Sequence, residues 1–227
     1  MNPCLSVIVP CYNEEATINE LLMKVLRQEL VRELIVINDA SSDDSLRIIN
    51  QIRDTRLIVL SNDRNLGKGA SVRRAFEICT SDFVLIQDAD LEYSPEEYPR
   101  LLKPLLEGYA DAVYGSRFLT FESRRALYFW HSMGNRFLTF LSNAFTNIYL
   151  TDMETCFKVM KTDFARKLDI KENRFGLEPE ITAKLAKMDA RIYEVAISYR
   201  GRTYSEGKKI TWKDGVSAVR CVIKYNL

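Results

Sequence analysis

Short apolar runs alternating with stretches of helical periodicity restrict the folds open to this chain more than any other feature. The runs are Leu5 to Val9, Leu34 to Ile37, Leu57 to Leu60, Phe83 to Ile86 and Ala112 to Tyr114. Each has the length and near-continuous hydrophobicity of a strand covered on both faces. Between them, Thr17 to Gln28, Asp43 to Arg53, Lys68 to Cys79 and Pro95 to Glu107 carry apolar residues at helical spacing, as Ile18, Leu21, Leu22, Val25 and Leu26 show. The pattern predicts an α/β chain with a mainly parallel sheet. In open sheets of this kind ligands sit beyond the carboxyl ends of the strands, so the segments that follow each run are the places to look for function.

The run at 83–86 opens into Gln-Asp-Ala-Asp, with Asp88 and Asp90 one residue apart. Carboxylates at i and i+2 of an extended chain point the same way, and where a strand enters a loop both can reach one hard cation. On frequency alone such a pair is more often solvated surface; its place after a strand favours a metal clamp for a diphosphate. After the other runs come Pro10, Cys11, Tyr12, Asn13 and Glu14, then Asn38 to Asp43, then Asn62 to Gly69. Singly, each has a structural explanation: Ser42 or Asp43 as a helix cap, Asn62-Asp63 as a turn, Pro10 as a strand end. Jointly they fall on one edge of the sheet. There Tyr12 offers a ring for base stacking and Asp39 an acceptor for a base or ribose. Lys68, between Gly67 and Gly69 at a helix start, is placed to meet phosphate oxygens, although the spacing is not that of a Walker loop.

Composition narrows the classes of partner. The 227 residues, 47% hydrophobic, suffice for one large core, and 32 basic against 31 acidic residues leave no global field for nucleic acid. The cysteines at 4, 11, 79, 156 and 221 are scattered without a C-x-x-C pair, as expected of reduced intracellular thiols. Neither a secretory leader nor an uninterrupted apolar stretch of about 18 residues is read from the sequence. His131, the only histidine, is read as incidental.

Val-Pro-Cys-Tyr-Asn-Glu, Asn-Asp-Ala-Ser-Ser-Asp, Arg-Asn-Leu-Gly-Lys-Gly, Asp-Ala-Asp and Gly115-Ser116-Arg117 together resemble the family 2 nucleotide-sugar glycosyltransferases of the GT-A fold. Asp152-Met-Glu-Thr-Cys-Phe-Lys158, Phe175 to Ile181 and Tyr199 to Tyr204 with Glu206 to Ile210 are similar to its dolichol- or polyprenyl-phosphate sugar synthase branch. The resemblance implies one domain over 1–227, with a nucleotide-sugar half (1–118) and an acceptor half (119–227). It implies that Pro10, Tyr12, Glu14 and Asp39 hold the nucleotide, that Asp88 and Asp90 hold Mg²⁺ or Mn²⁺ and the diphosphate, and that Arg117 meets the acceptor phosphate. Where that family often has two aspartates this chain has Asn38-Asp39; where it often has glycine this chain has Ala40; where it often has a glutamine metal ligand this chain has Glu92.

The implied chemistry is metal-assisted departure of a nucleoside diphosphate from the anomeric carbon. A lipid monophosphate acceptor is largely ionised at neutral pH, since its second pKa is about 6, and requires no general base. The burden then falls on positioning it, a task suited to Arg117 with Arg136 or Arg202. A sugar hydroxyl acceptor would instead demand a base, and Asp152 is the carboxylate without a simple structural explanation, whereas Glu178 and Glu180 beside Pro179 suit a helix start. Residues 126–150 are the most aromatic stretch. They are read either as an amphipathic helical segment at a bilayer surface, with a partner protein or second copy as a further occupant, or as a core-facing helix with Phe137, Leu138, Leu141, Ala144, Phe145 and Ile148 inward. The overall expectation is an inverting hexosyltransferase acting on polyprenyl or dolichyl phosphate at the cytoplasmic face of a membrane. The alternatives are transfer to a saccharide hydroxyl, or a catalytically silent nucleotide-sugar-binding scaffold.

Overall fold

The computed structural model describes residues 2–119, 128–201 and 212–227. The apolar runs become β1 (Leu5–Cys11), β2 (Val31–Asn38), β3 (Leu57–Ser61), β4 (Phe83–Ile86) and β5 (Ala112–Ser116). The periodic stretches become α1 (Ile18–Leu26), α2 (Ser45–Ile49), α3 (Lys68–Ile78) and α4 (Tyr98–Leu106). All are shorter than their periodicity suggests. The chain then continues through α5 (Phe129–Thr146), β6 (Lys158–Lys161), α6 (Thr162–Lys167), α7 (Leu177–Lys187), β7 (Ile192–Ala196) and α8 (Trp212–Asn226).

The seven strands form one sheet in the order β3-β2-β1-β4-β6-β5-β7. β1 pairs in parallel with both β2 and β4, β2 with β3, and β5 with β7. β6 runs antiparallel between β4 and β5. The sheet is therefore mostly parallel, with one reversed strand whose tetrapeptide Lys-Val-Met-Lys is too short to show a periodicity. Valines, isoleucines and leucines of β1, β2 and β4 are almost wholly buried, as expected with helices on both faces.

Connections from β1 leave in opposite directions, to β2 on one side and, through β3, to β4 on the other. Loops beyond the carboxyl ends of β1 and β4 consequently splay apart and open a crevice. All the segments singled out in the amino-terminal half by their position after a strand border that crevice.

α5 departs from its core-facing reading. Its fully buried residues are Asn135, Thr139 and Ser142, while Leu138, Leu141 and Ile148 pack partly on the core. Phe137 and Phe145, expected inward on the core-facing reading, are exposed. Trp130, Met133, Phe137 and Phe140, at the 3-4-3 spacing of one helical face, form an exposed apolar stripe, with Trp130 82% exposed. The polar inner face exists because Asn135 and Thr139 hydrogen-bond the chain at 152–153, as described below. Among the described residues, no helix is long and apolar enough to cross a membrane.

Candidate functional site

The crevice beyond β1 and β4 is lined by Pro10, Tyr12, Glu14 and Asp39, by Lys68, Asp88, Asp90 and Glu92, and by Arg117 and Tyr199. Glu154, Cys156, Phe175 and Glu178 are among its other lining residues.

The two loops that follow β1 and β2 are cross-linked. The Asn13 and Glu14 amides donate to the hydroxyls of Ser41 and Ser45, the Ser42 amide donates to Asn13 Oδ1, and the Glu15 amide donates to Asp43. The Asn-Asp-Ala-Ser-Ser-Asp segment is thus the fastener that holds Tyr12 at the mouth of the cleft. Asp39 accepts from Asn62 Nδ2 (2.7 Å) and the amides of Leu66 (2.9 Å) and Gly67 (2.7 Å), so much of its acceptor capacity shapes the 62–67 turn. Its Oδ2 accepts from the Gly67 amide, and a carboxylate oxygen has capacity for a further ligand donor. Ala40 sits at φ 57°, in the left-handed region where glycine is at home. An alanine there costs about 1 kcal/mol relative to an unstrained residue. Ala40→Gly is expected to raise the thermal midpoint by about 2–4 °C, measured by circular dichroism, with the cleft unchanged.

The Gly67-Lys68-Gly69 element is shaped by a close approach of distant backbone. A Cβ added at Gly67 would collide with the carbonyl of Asn173, and one at Gly69 with that of Glu172. The glycines admit the 172–173 backbone against the start of α3, where the Ala70 amide donates to Asn173 O (3.2 Å). Lys68 then reaches into the cleft and bridges Asp88 (2.8 Å) and Glu178 (2.9 Å). Burial would lower its pKa, but Asp88 and Glu178 hold the ammonium well above its usual range, and the lysine in turn holds Asp88 below the carboxylate range. Glu178 therefore spends its charge on Lys68 as well as standing in the first turn of α7.

Asp88 and Asp90 follow β4, with Asp90 Oδ1 capping the turn by accepting from the Glu92 amide (3.1 Å). Glu92 accepts from the Tyr199 hydroxyl (2.7 Å). Among the described residues no group of three or more acidic, histidine or cysteine side chains is drawn together as a ready-made ion cage. The donor set still fits a hard cation of the Mg²⁺ or Mn²⁺ kind. Such ions are usually held by one or two carboxylates together with substrate phosphates, and Asp88 and Asp90 present oxygens to the same cleft.

Arg117 Nε and Nη2 grip Asp152 at 2.7 and 2.8 Å, and the Arg117 amide donates to the same carboxylate (3.0 Å). The guanidinium lies over the Tyr199 ring, 5.2 Å from its centre. Asp152 is fully buried, does not line the cleft, and also accepts from Asn135 Nδ2 (3.1 Å). Burial would raise its pKa, yet Arg117 and these bonds keep it below the carboxylate range. Its geometry is that of a residue holding Arg117 rather than of one touching a substrate. Arg136 is exposed on α5, over the Phe118 ring (5.6 Å), and does not line the cleft. Arg202 lies outside the described residues.

Residues 6–169 match the glycosyl transferase family 2 description. The chain belongs to glycosyl transferase family 2. Its glycosyltransferase fold is GT-A: structures of glucosyl-3-phosphoglycerate synthase from Mycobacterium tuberculosis superpose with a TM-score of 0.74 at 20% identity, covering 98% of this chain and 80% of that one. Those structures contain Mn²⁺ and uridine diphosphate, and a related one contains Mg²⁺ and uridine diphosphate. Over half of this chain, undecaprenyl-phosphate 4-deoxy-4-formamido-L-arabinose transferase of Proteus mirabilis is 36% identical, although the match spans only 36% of that protein's length. An uncharacterized protein of Methanocaldococcus jannaschii is 26% identical over 96% of this chain and 97% of its own length.

Glu154 and Phe175 are among the residues lining this cleft to which sequence reasoning gave no role. Each falls in a segment quoted for its family resemblance, but neither follows a strand. What brings them in is the packing of 172–175 against Gly67 and Gly69, and of 152–156 against α5.

Proposed function

We propose that the protein transfers a hexose from a nucleoside diphosphate to the phosphate of a polyprenyl or dolichyl lipid, with inversion at the anomeric carbon. The observation that carries this reading is that the Asp88–Asp90 pair and Arg117, itself held by Asp152, line one cleft. The carboxylate pair suits a cation and a diphosphate, the guanidinium a second anion. The names of the relatives, which act on undecaprenyl phosphate, support the acceptor class. The uridine diphosphate in the fold neighbours supports the donor class.

Residues 1–118 bind the donor in this reading and 119–227 the acceptor. Tyr12 stacks on the base, Asp39 accepts from the nucleoside, and Asp88 and Asp90, with Glu92 in reserve, hold the cation. That cation supplies Lewis-acid stabilisation of the departing diphosphate. Arg117 fixes the acceptor phosphate behind the anomeric carbon. One of its oxygens forms the new C–O bond while the bond to the nucleotide's β-phosphate breaks, its electron pair leaving with the diphosphate. No proton moves, consistent with Asp152 being spent on Arg117. Incubation with UDP-glucose or GDP-mannose, Mn²⁺ and a short-chain polyprenyl phosphate should yield glycosyl phospholipid. Turnover with a saccharide hydroxyl and none with the lipid phosphate would replace this reading with polysaccharide synthesis, and binding without any turnover would leave a scaffold.

A polyprenyl acceptor keeps its chain in the bilayer, because each CH₂ drawn into water costs about 0.8 kcal/mol. The enzyme must approach at headgroup level, on a cytoplasmic membrane face in our reading, and the α5 stripe is an exposed apolar face adapted to that. Phe129→Ser with Trp130→Ser is expected to weaken co-sedimentation with anionic vesicles at least about 10-fold, two aromatic rings contributing about 1.5–3 kcal/mol each at full burial. Donor affinity should not change. Unaltered vesicle binding would remove α5 from the membrane and make a protein partner or second copy its occupant.

A further inference from the structure

The chain from 151 to 156 is among the most heavily anchored in the molecule. The amides of Thr151 and Asp152 donate to the Glu194 carboxylate (2.8 to 3.1 Å), and that of Met153 to Thr139 Oγ1 (3.1 Å). The Thr155 hydroxyl donates to Gly115 O (2.6 Å), and the Cys156 amide to the Tyr93 hydroxyl (3.3 Å). Lys158 is wholly buried, and its ammonium donates to the carbonyls of Met153 (2.7 Å) and Thr155, the two residues flanking Glu154. A buried lysine is costly, and here it fixes the backbone on either side of one glutamate.

The glutamate so fixed lines the cleft with an unsatisfied atom. Among the described residues, Glu154 Oε1 is the buried side-chain oxygen or nitrogen without a hydrogen-bond partner. Such an orphan costs free energy unless something arrives to pair with it. Burial, and then the neighbouring Glu178, push the carboxyl up to about 8, so at neutral pH it largely keeps its proton and is able both to donate and to accept. The charges around it are balanced, with Lys68, Lys158 and Arg117 against Asp88, Glu178 and Asp152, so neither a free cation nor an anion is favoured. A neutral ligand rich in groups that both donate and accept fits that environment, and hydroxyl groups are of this kind.

We infer that Glu154 is a specificity-determining residue that hydrogen-bonds a ring hydroxyl of the donor's sugar, in a subsite it shares with Glu178, Cys156 and Phe175. The inference rests on the donor-binding reading above and deepens it: the sugar carries a free hydroxyl at the position facing Glu154, not a deoxy or acylated carbon. The rigid 151–156 chain serves discrimination, because a buried polar group left unpaired by the wrong ligand penalises that ligand strongly. Glu154 is not needed as a base, since an ionised phosphate acceptor has no proton to lose.

The test compares sugar nucleotides with bare nucleotides. Calorimetry with Mn²⁺ measures wild type, Glu154→Ala and Glu154→Gln against UDP, GDP, UDP-glucose, UDP-galactose and GDP-mannose. For the sugar nucleotide that wild type prefers, Glu154→Ala should weaken binding at least about 10-fold and Glu154→Gln less, while the matching bare nucleotide binds all three proteins alike. The same variant should lose wild type's discrimination against a donor deoxygenated at the recognised position. Equal weakening of bare and sugar nucleotides, or unchanged sugar-nucleotide affinity with only kcat reduced, would overturn the inference while leaving the transferase reading standing. A wild type that binds none of these nucleotides would overturn both.

Discussion

Asp90→Asn is expected to lower transfer by at least about 10³-fold while the protein keeps its fold. A metal ion supplies several kcal/mol of stabilisation to a departing diphosphate, and about 4 kcal/mol is a thousandfold in rate. The substitution halves the carboxylate charge of the Asp88–Asp90 pair yet retains an oxygen able to accept from the Glu92 amide, so the turn around Leu91 at φ 62° should persist. Asp88→Asn is the less clean experiment, because it also removes one of the two carboxylates bridged by Lys68. The assay is transfer from sugar nucleotide to polyprenyl phosphate across a Mg²⁺ and Mn²⁺ titration, with circular dichroism as the check on folding. Chelation of wild type with EDTA should reproduce the loss, and excess metal should rescue wild type but not the variant. A folded Asp90→Asn protein with near-normal turnover would rule the carboxylate pair out of the chemistry.

How much of this was legible beforehand depended on whether the information was local. Continuous apolar runs announce strands of a covered parallel sheet, and the residues after them were placed on one edge because sheet topology leaves them nowhere else. Lys68 shows the limit. Its flanking glycines read as a loop near phosphate, but their role depends on Asn173 and Glu172, about a hundred residues away, which no spacing rule connects to them. α5 shows another. Its composition fits either a buried stripe or a membrane face, and only the hydrogen bonds of Asn135 and Thr139 to the 152–153 backbone and side chain decide which side turns inward. Asp152 was conspicuous because nothing local explained it; the explanation is Arg117. Glu154, two residues on, lies in a segment that resembles the family, but its role is not local, since an orphaned carboxyl oxygen is a property of the packed state.

Loss of Arg117 is expected to separate acceptor use from donor binding. The guanidinium and the Asp152 carboxylate are both buried, so removing either alone leaves an uncompensated charge that costs about 3–5 kcal/mol of stability, and a simple Arg117→Ala variant confounds activity with unfolding. The double variant Arg117→Ala with Asp152→Asn removes both charges together and should recover much of that stability. In it, affinity for the sugar nucleotide should stay within about 3-fold of wild type, whereas transfer to polyprenyl phosphate should fall about 10²–10³-fold, as a charge-assisted, desolvated contact made only with the acceptor is lost. Arg117→Lys should behave similarly without the folding penalty: it keeps the charge but cannot span both Asp152 oxygens and the acceptor in a fixed plane. Kinetics varying donor and acceptor separately, with calorimetry for the donor, distinguish the cases. If donor affinity collapses in step with transfer, Arg117 belongs to the diphosphate and does not hold a second anion.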